Sequence, residues 1–248
     1  MAVLLIRLAG PMQAWGDSSR FARRTTRHEP TKSGIVGLIA SALGRSREDS
    51  IDDLAQLELA IRTEQPGNVI RDFQTERPMD GGKPMPLSHR YYLSDACFLA
   101  ALGGPNAKLE QISSALKLPK RPLYLGRRSC PVDMPVSVGI VSETSDVRLV
   151  LNSEPWKASE YYKLHHNRVD SLEIVADARD GEICESWADY PLTYSVTGRR
   201  YACRAVTRYR IPNPDFKTSE TDEVELSNDS RLHKMQAAPD HDPLEWME

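Results

Sequence analysis

Apolar and polar positions follow two rhythms along this chain. The run Val3-Leu4-Leu5-Ile6-Arg7-Leu8 is β-rich and is stopped by Gly10-Pro11, which predicts a first strand. An irregular segment follows over 12–30. Then Ile35, Leu38, Ile39, Ala42 and Leu43 recur at helical spacing. The pattern predicts a helix opened by Thr31-Lys32-Ser33-Gly34 and closed by Gly44. Apolar runs at 57–63, 68–73, 97–102 and 136–141 predict further strands, and Leu109, Ile112 and Leu116 mark a second helix ended by Pro119. Between 74 and 90 lies Arg77-Pro78-Met79-Asp80-Gly81-Gly82-Lys83-Pro84-Met85-Pro86, whose prolines and glycines exclude regular structure and predict an extended, protruding loop.

The predicted order over 1–142 is β, α, β, β, α, β. It suits an α+β, ferredoxin-like (RRM-like) domain, in which two helices cover one face of an antiparallel sheet. The free face and its loops are where such domains hold single-stranded RNA. Residues 143–214 read as a smaller C-terminal β-rich unit. There Asp180-Gly181, between the runs 172–176 and 182–187, is a hairpin signal. Tyr201, Cys203, Ala205, Tyr209 and Ile211 alternate with Arg200, Arg204, Arg208 and Arg210, which predicts an apolar face and an arginine face turned to protein or solvent. Residues 215–248 lack periodicity and read as an acidic, mobile tail.

Composition narrows the class. With 40% hydrophobic and 27% charged residues the chain is neither disordered nor fibrous. No apolar run approaches bilayer length, and the opening segment is too short for a secretory signal, so a cytoplasmic protein with no membrane contact is expected. Cys97, Cys130, Cys184 and Cys203 form no C-x-x-C pair and read as reduced, mostly buried thiols. The histidines show no ligand spacing beyond His165-His166, so neither metal nor cofactor is expected. The net charge of −3 hides an asymmetry: residues 1–47 carry eight Lys/Arg against two acids, and 215–248 carry ten acids against three bases. The stretches 117–128 and 199–210 each hold five Lys/Arg and no acid. A polyanion responds to such local patches, and three of them point to RNA or DNA.

Three segments could carry the binding. Gly10, Pro11, Gln13 and Trp15 offer backbone N–H groups, an amide and a ring for stacking, although Trp15 reads equally as a core anchor. Arg20 and Arg27 precede Thr31, Lys32, Ser33 and Gly34, where helix-start N–H groups, a cation and two hydroxyls suit a phosphate; simple N-capping by Thr31 or Ser33 is the alternative. Tyr124, Gly126, Arg127, Arg128 and Ser129 combine a ring, a permissive backbone and paired guanidinium groups, against the plainer reading of a surface loop. Walker, G-x-G-x-x-G, G-x-S-x-G and H-E-x-x-H patterns are absent. A metal-independent endoribonuclease processing repeat RNA, drawing on His28, His89, His165, His166, Tyr91 or Lys163, is the rival reading, and nothing singles those residues out. A structural adaptor with arginines facing acidic proteins is a third.

The same three segments carry a resemblance. Leu8-Ala9-Gly10-Pro11-Met12-Gln13-Ala14-Trp15-Gly16, Arg27-x-x-Pro30-Thr31-Lys32-Ser33-Gly34-Ile35-Val36-Gly37-Leu38 and Tyr124-Leu125-Gly126-Arg127-Arg128-Ser129-Cys130-Pro131 together resemble the Cas-five family of CRISPR-associated subunits in type I-E Cascade. Tyr92-Leu93-Ser94-Asp95-Ala96-Cys97-Phe98 fits it too, and the likeness runs over about 1–212. It implies an RNA-binding subunit that grips the 5′ handle of the CRISPR RNA through the three segments. It also implies a thumb, for which 74–90 is the candidate, that continues the backbone of CasC subunits. The large CasA subunit is an implied neighbour, and target DNA is met only through the complex. In another subtype a relative cuts the RNA; in type I-E that task belongs to CasE, so the resemblance implies no catalytic residues.

Overall fold

The computed structural model describes residues 1–16 and 22–216. Arg20 and the acidic run from 217 onward lie outside the described residues. In chain order the strands are β1 (Ala2–Ala9), β2 (Met12–Gln13), β3 (Arg23–Arg24), β4 (Glu58–Gln65), β5 (Asn68–Gln74), β6 (Ser88–Ser94), β7 (Cys97–Gly104), β8 (Ser137–Val141), β9 (Ser171–Asp177), β10 (Glu185–Thr193) and β11 (Arg200–Pro212). The helices are α1 (Lys32–Leu43), α2 (Asp52–Ala55), α3 (Asn106–Lys117), α4 (Val147–Ser153) and α5 (Glu160–His165).

Seven strands form one antiparallel sheet in the order β10-β11-β9-β4-β7-β1-β8. The alternation of side chains sorts the central strands onto two cores. Leu4, Ile6 and Leu8 of β1, Phe98, Ala100 and Leu102 of β7 and Leu59 and Ile61 of β4 pack with Ile35, Leu38 and Ile39 of α1 and Leu109, Ile112 and Leu116 of α3. α1 starts where the sequence signals it: Thr31 Oγ1 accepts from Gly34 N at 3.2 Å, and Gly44 at φ +79° closes the helix.

The opposite face departs from expectation. Val3, Leu5, Ala60, Leu99 and Ala101, expected on a free sheet face, are covered by Val147, Val150 and Leu151 of α4 and by Trp156 and Ala158. This second core explains why β7 is apolar at every position, since a strand buried on both faces loses the polar alternation. It is pinned by Arg62 and Glu64, both wholly buried and 2.6 Å apart. Arg62 also donates to the carbonyls of Leu151, Glu154 and Pro155, which ties the 151–157 segment to β4.

Two further expectations give way. β9 pairs with β4, so 143–214 extends the main sheet instead of forming a separate unit. Asp180-Gly181 does turn the chain, but β9 and β10 are not hairpin partners, because β11 lies between them. The arginine face of β11 divides: Arg200, Arg208 and Arg210 are exposed, whereas Arg204 is drawn in. Arg204 is buried against Asp177 and Asp189, and Arg208 meets Glu29 and Glu173.

The 74–90 loop is longer in reach than its composition suggests. β5 and β6 pair from Asn68↔Ser94 to Gln74↔Ser88, making a hairpin tipped by 75–87. One edge of β6 carries β5, and the other carries β2 and β3. Val69, Phe73, Met79, Met85 and Leu87 of the hairpin and its tip are exposed.

Candidate nucleic-acid interface

Two glycines let the first and third candidate segments interlock. Gly126 sits at φ +83°, and a Cβ there would lie 1.8 Å from the Ala14 carbonyl oxygen. A Cβ on Gly10 would come within 2.5 Å of the Pro131 oxygen. Ala14 N donates to Leu125 O at 3.1 Å, and Asp133 N donates to Ala9 O at 3.1 Å. The second segment joins through Gly34, whose missing side chain leaves room for the Trp15 ring, with Cε3 2.7 Å from where a Cβ would stand. The three segments, far apart in the chain, therefore meet at the N-terminal end of α1.

Their individual residues do not all face solvent. Trp15 is a core anchor, 1% exposed, and its Nε1 donates to Gln13 Oε1 at 3.0 Å. Gln13 is wholly buried, and its amide donates to the carbonyls of Leu8 and Ala96. Thr31 is the buried N-cap. Lys32, expected beside phosphate, is buried with Nζ 2.9 Å from Asp177 Oδ2, while its backbone N donates to Asp189 Oδ2 at 2.8 Å. Asp189 thereby places its charge at the positive end of the α1 dipole, where an incoming anion would otherwise sit. Arg27 stacks its guanidinium 3.7 Å over Trp187. Arg127 does not turn to the same side as Arg128; its Nη2 donates to Arg24 O at 3.0 Å. Pro11, Gly126, Arg128 and Ser129 are exposed, and Ser33 and Tyr124 are partly so.

What the interlocked segments border is a cleft of about 740 Å³. Trp15, Ser33, Gly34, Tyr124, Gly126 and Arg128 line it, together with residues the sequence reading did not single out: Ser41, Arg45, Ser46, Arg47, Arg121, Tyr194, Arg199 and Tyr201. Among the described residues no Asp or Glu lines it. Each of the three basic runs contributes, Arg45 and Arg47 from the first, Arg121 and Arg128 from the second, Arg199 from the third. Arg45 is held by Asp53 in a two-pronged pair, which raises its own affinity for a proton and holds the Asp53 carboxyl well below the usual range. Arg121 donates to the Arg45 carbonyl at 2.8 Å. Arg47, Arg128 and Arg199 have no carboxylate partner among the described residues. Three tyrosines add aromatic surface; burial pushes the Tyr194 hydroxyl pKa up, so that it stays a donor, and it donates to Ser33 O. The charge runs were the signal for this cleft, but not its shape, because its walls come from segments as far apart as Ala14 and Tyr201.

The residues of the rival nuclease reading fall on separate elements. His165 and His166, at the end of α5 and its C-cap, pack on Tyr161 and Tyr162, Lys163 pairs with Glu160 and Asp215, and His89 and Tyr91 lie on β6. Among the described residues no cluster of His, Cys, Asp or Glu is arranged to hold a metal. No helix among them is long and apolar enough to cross a membrane.

A large antiparallel sheet with a basic cleft and a projecting hairpin marks a defined class of proteins, and comparison identifies it. The chain belongs to the CRISPR-associated protein (Cas_Cas5) family, whose model matches residues 3–207, as the three motifs imply. It is 34% identical over 172 residues to the CRISPR system Cascade subunit CasD of Escherichia coli (strain K12), spanning 61% of this chain and 77% of that protein. A solved structure described as a Cas protein superposes with TM-score 0.66 at 34% identity, covering 85% of this chain and 95% of its own. A chain of a CRISPR RNA-guided surveillance complex superposes with TM-score 0.67 at 29% identity, covering 85% and 91%.

Proposed function

We propose that this chain is the non-catalytic RNA-binding subunit of a type I-E Cascade surveillance complex in the cytoplasm, anchoring the 5′ handle of the CRISPR RNA. The observation that carries the reading is the basic cleft, where among the described residues Arg47, Arg128 and Arg199 have no carboxylate partner and Tyr124 and Tyr201 offer rings for stacking. Single-stranded RNA is held by this combination of guanidinium groups on phosphates and aromatic faces on bases. Of the residues first read as binding, Pro11, Ser33, Tyr124, Gly126, Arg128 and Ser129 keep that role directly. Trp15, Thr31 and Gly34 form part of the cleft wall, and Gly10, Gln13 and Lys32 support it from behind.

The strand order β4-β7-β1-β8, with α1 and α3 on one face, supports the ferredoxin-like reading of the first half of the chain. The β5–β6 hairpin is the thumb. Its exposed Val69, Phe73, Met85 and Leu87 suit burial against a protein neighbour, which supports the capping of a CasC backbone with CasA close by. Target DNA is read by guide pairing, so this chain needs no base-specific contact with it.

Co-expression with the other subunits, followed by sequencing of the co-purified RNA, tests the reading. Short RNAs with one constant 5′ end protected by this chain are expected. An assembly in which this chain crosslinks to no part of that 5′ end contradicts it. Incubation of the purified chain with repeat RNA in EDTA should leave the RNA intact, and cleavage at a single position overturns the non-catalytic part.

A further inference from the structure

The loop that gives Arg128 to the cleft sends its neighbour Arg127 to the other side. The Arg127 guanidinium stands 4.7 Å from the centre of the Tyr92 ring and reaches the Arg24 carbonyl. Parallel pairing of β3 with β6 sets Arg23 opposite His89 and Arg24 opposite Arg90. Arg23 lies over the Tyr91 ring at 5.4 Å. Four arginines from three segments therefore gather along β6, towards the tip end of the β5–β6 ladder. Among the described residues Glu76 is the carboxylate that pairs with any of them, 3.4 Å from Arg90 and 72% exposed. Asp72, opposite Arg90 on β5, accepts instead from Phe73 N and Gln74 Nε2.

Like charges brought this close raise the local potential and attract an anion. A second observation points the same way. His89 Nδ1, Arg90 Nε and Arg127 Nη1 are buried and have no hydrogen-bond partner, whereas buried polar atoms are ordinarily satisfied. Turning these side chains outward breaks no hydrogen bond at those atoms. Tyr91 and Tyr92 take Arg23 and Arg127 in cation–π contact, and Arg127 keeps Nη1 without a protein partner while its Nη2 stays on the Arg24 carbonyl.

We infer that this cluster is a second phosphate-binding patch, which takes the phosphodiester backbone of a nucleic-acid strand as it leaves the cleft. Arg127 and Arg128 are adjacent, so their Cα atoms are about 3.8 Å apart, and a strand passing over the loop meets both sites in succession. The inference rests on the proposed function only in taking a nucleic acid as the ligand.

The test uses the full chain and three probes: an RNA of the handle alone, the same RNA extended by a uridine tract, and the extended strand as single-stranded DNA. The variant Arg23→Ala/Arg24→Ala changes two exposed side chains and keeps the Arg24 carbonyl that Arg127 uses. It should bind the extended RNA about tenfold more weakly, with a salt slope lower by about 1.4 at roughly 0.7 per arginine, and bind the handle RNA as the parent does. A loss confined to the DNA probe also supports the patch and assigns it to a DNA strand. Unchanged affinity and slope on all three probes, with a normal melting temperature, overturn it. The variant Arg128→Ala is the control for the cleft: if it spares handle binding, the proposed function fails while the patch is judged on the extended probes alone.

Discussion

Replacing Gly126 with alanine tests the interlock that builds the cleft. Two costs can be separated from the structure. An alanine at φ +83° occupies the left-handed region, which costs about 1–2 kcal/mol. The new Cβ would also stand 1.8 Å from the Ala14 oxygen, so the two loops must part by more than about 1.5 Å to reach an ordinary contact. That movement pulls the 3.1 Å bond from Ala14 N to Leu125 O out of range, at about 1–3 kcal/mol. The sum is about 2–5 kcal/mol, or a melting temperature lower by roughly 5–15 °C for a domain of this size. Handle-RNA affinity should fall with it, since Arg128 moves with the loop. Gly181→Ala is the matched control, because Gly181 has the same φ of +83° with nothing within 4 Å of its Cβ position. It should show the conformational cost alone. Scanning fluorimetry on both variants reads the difference, and equal melting temperatures for the two would refute the close approach of the loops.

Arg62→Met leaves Glu64 buried without its partner and three carbonyls without their donor, so it should cost on the order of 3–5 kcal/mol in urea unfolding, with partial recovery in Arg62→Met/Glu64→Leu. Glu182, hydrogen-bonded by Arg148, is held down to about 2. A carboxylate whose folded pKa lies below its unfolded one stabilises fully above the unfolded value and loses that stabilisation as pH falls towards the folded one. The melting temperature should therefore fall as pH drops from about 4 towards 2, and Glu182→Gln should make the fall shallower. Burial pushes the Cys97 thiol up to about 12 and raises Cys130 as well, whereas Cys184 and Cys203 are exposed. Alkylation of the native chain followed by mass spectrometry should label Cys184 and Cys203 and spare Cys97 and Cys130.

What the sequence disclosed follows from range. Periodicity exposed β1, α1, β4, β7, α3 and β8, because each presents apolar residues to a core, and it found β5 from its β-rich run although that strand is exposed. It missed β6, whose His89-Arg90-Tyr91-Tyr92 mixture has no clean alternation, and the short α4, whose Val147, Val150 and Leu151 cover the second sheet face. The position of β11 between β9 and β10 depends on long-range pairing that an Asp-Gly turn cannot encode. At the site, the motifs located the right segments, but roles within them turned on distant partners. Lys32 looked like a phosphate ligand until Asp177 and Asp189, 145 and 157 residues away, were brought beside it. Arg199 lies just before a strand whose Arg204 and Arg208 are tied up with Asp177, Asp189, Glu29 and Glu173, and only the fold separates it from them.

The most direct test of the cleft is the salt dependence of handle-RNA binding by the parent chain, by Arg128→Ala/Arg199→Ala and by Lys32→Met. If the cleft holds the RNA, the arginine pair should lose ten- to a hundredfold in affinity and about 1.4 in slope at an unchanged melting temperature. Lys32→Met should instead melt earlier and keep the parent's slope, because its charge already faces Asp177. A Lys32→Met variant with a lowered slope, beside an arginine variant that binds as the parent does, would contradict the account.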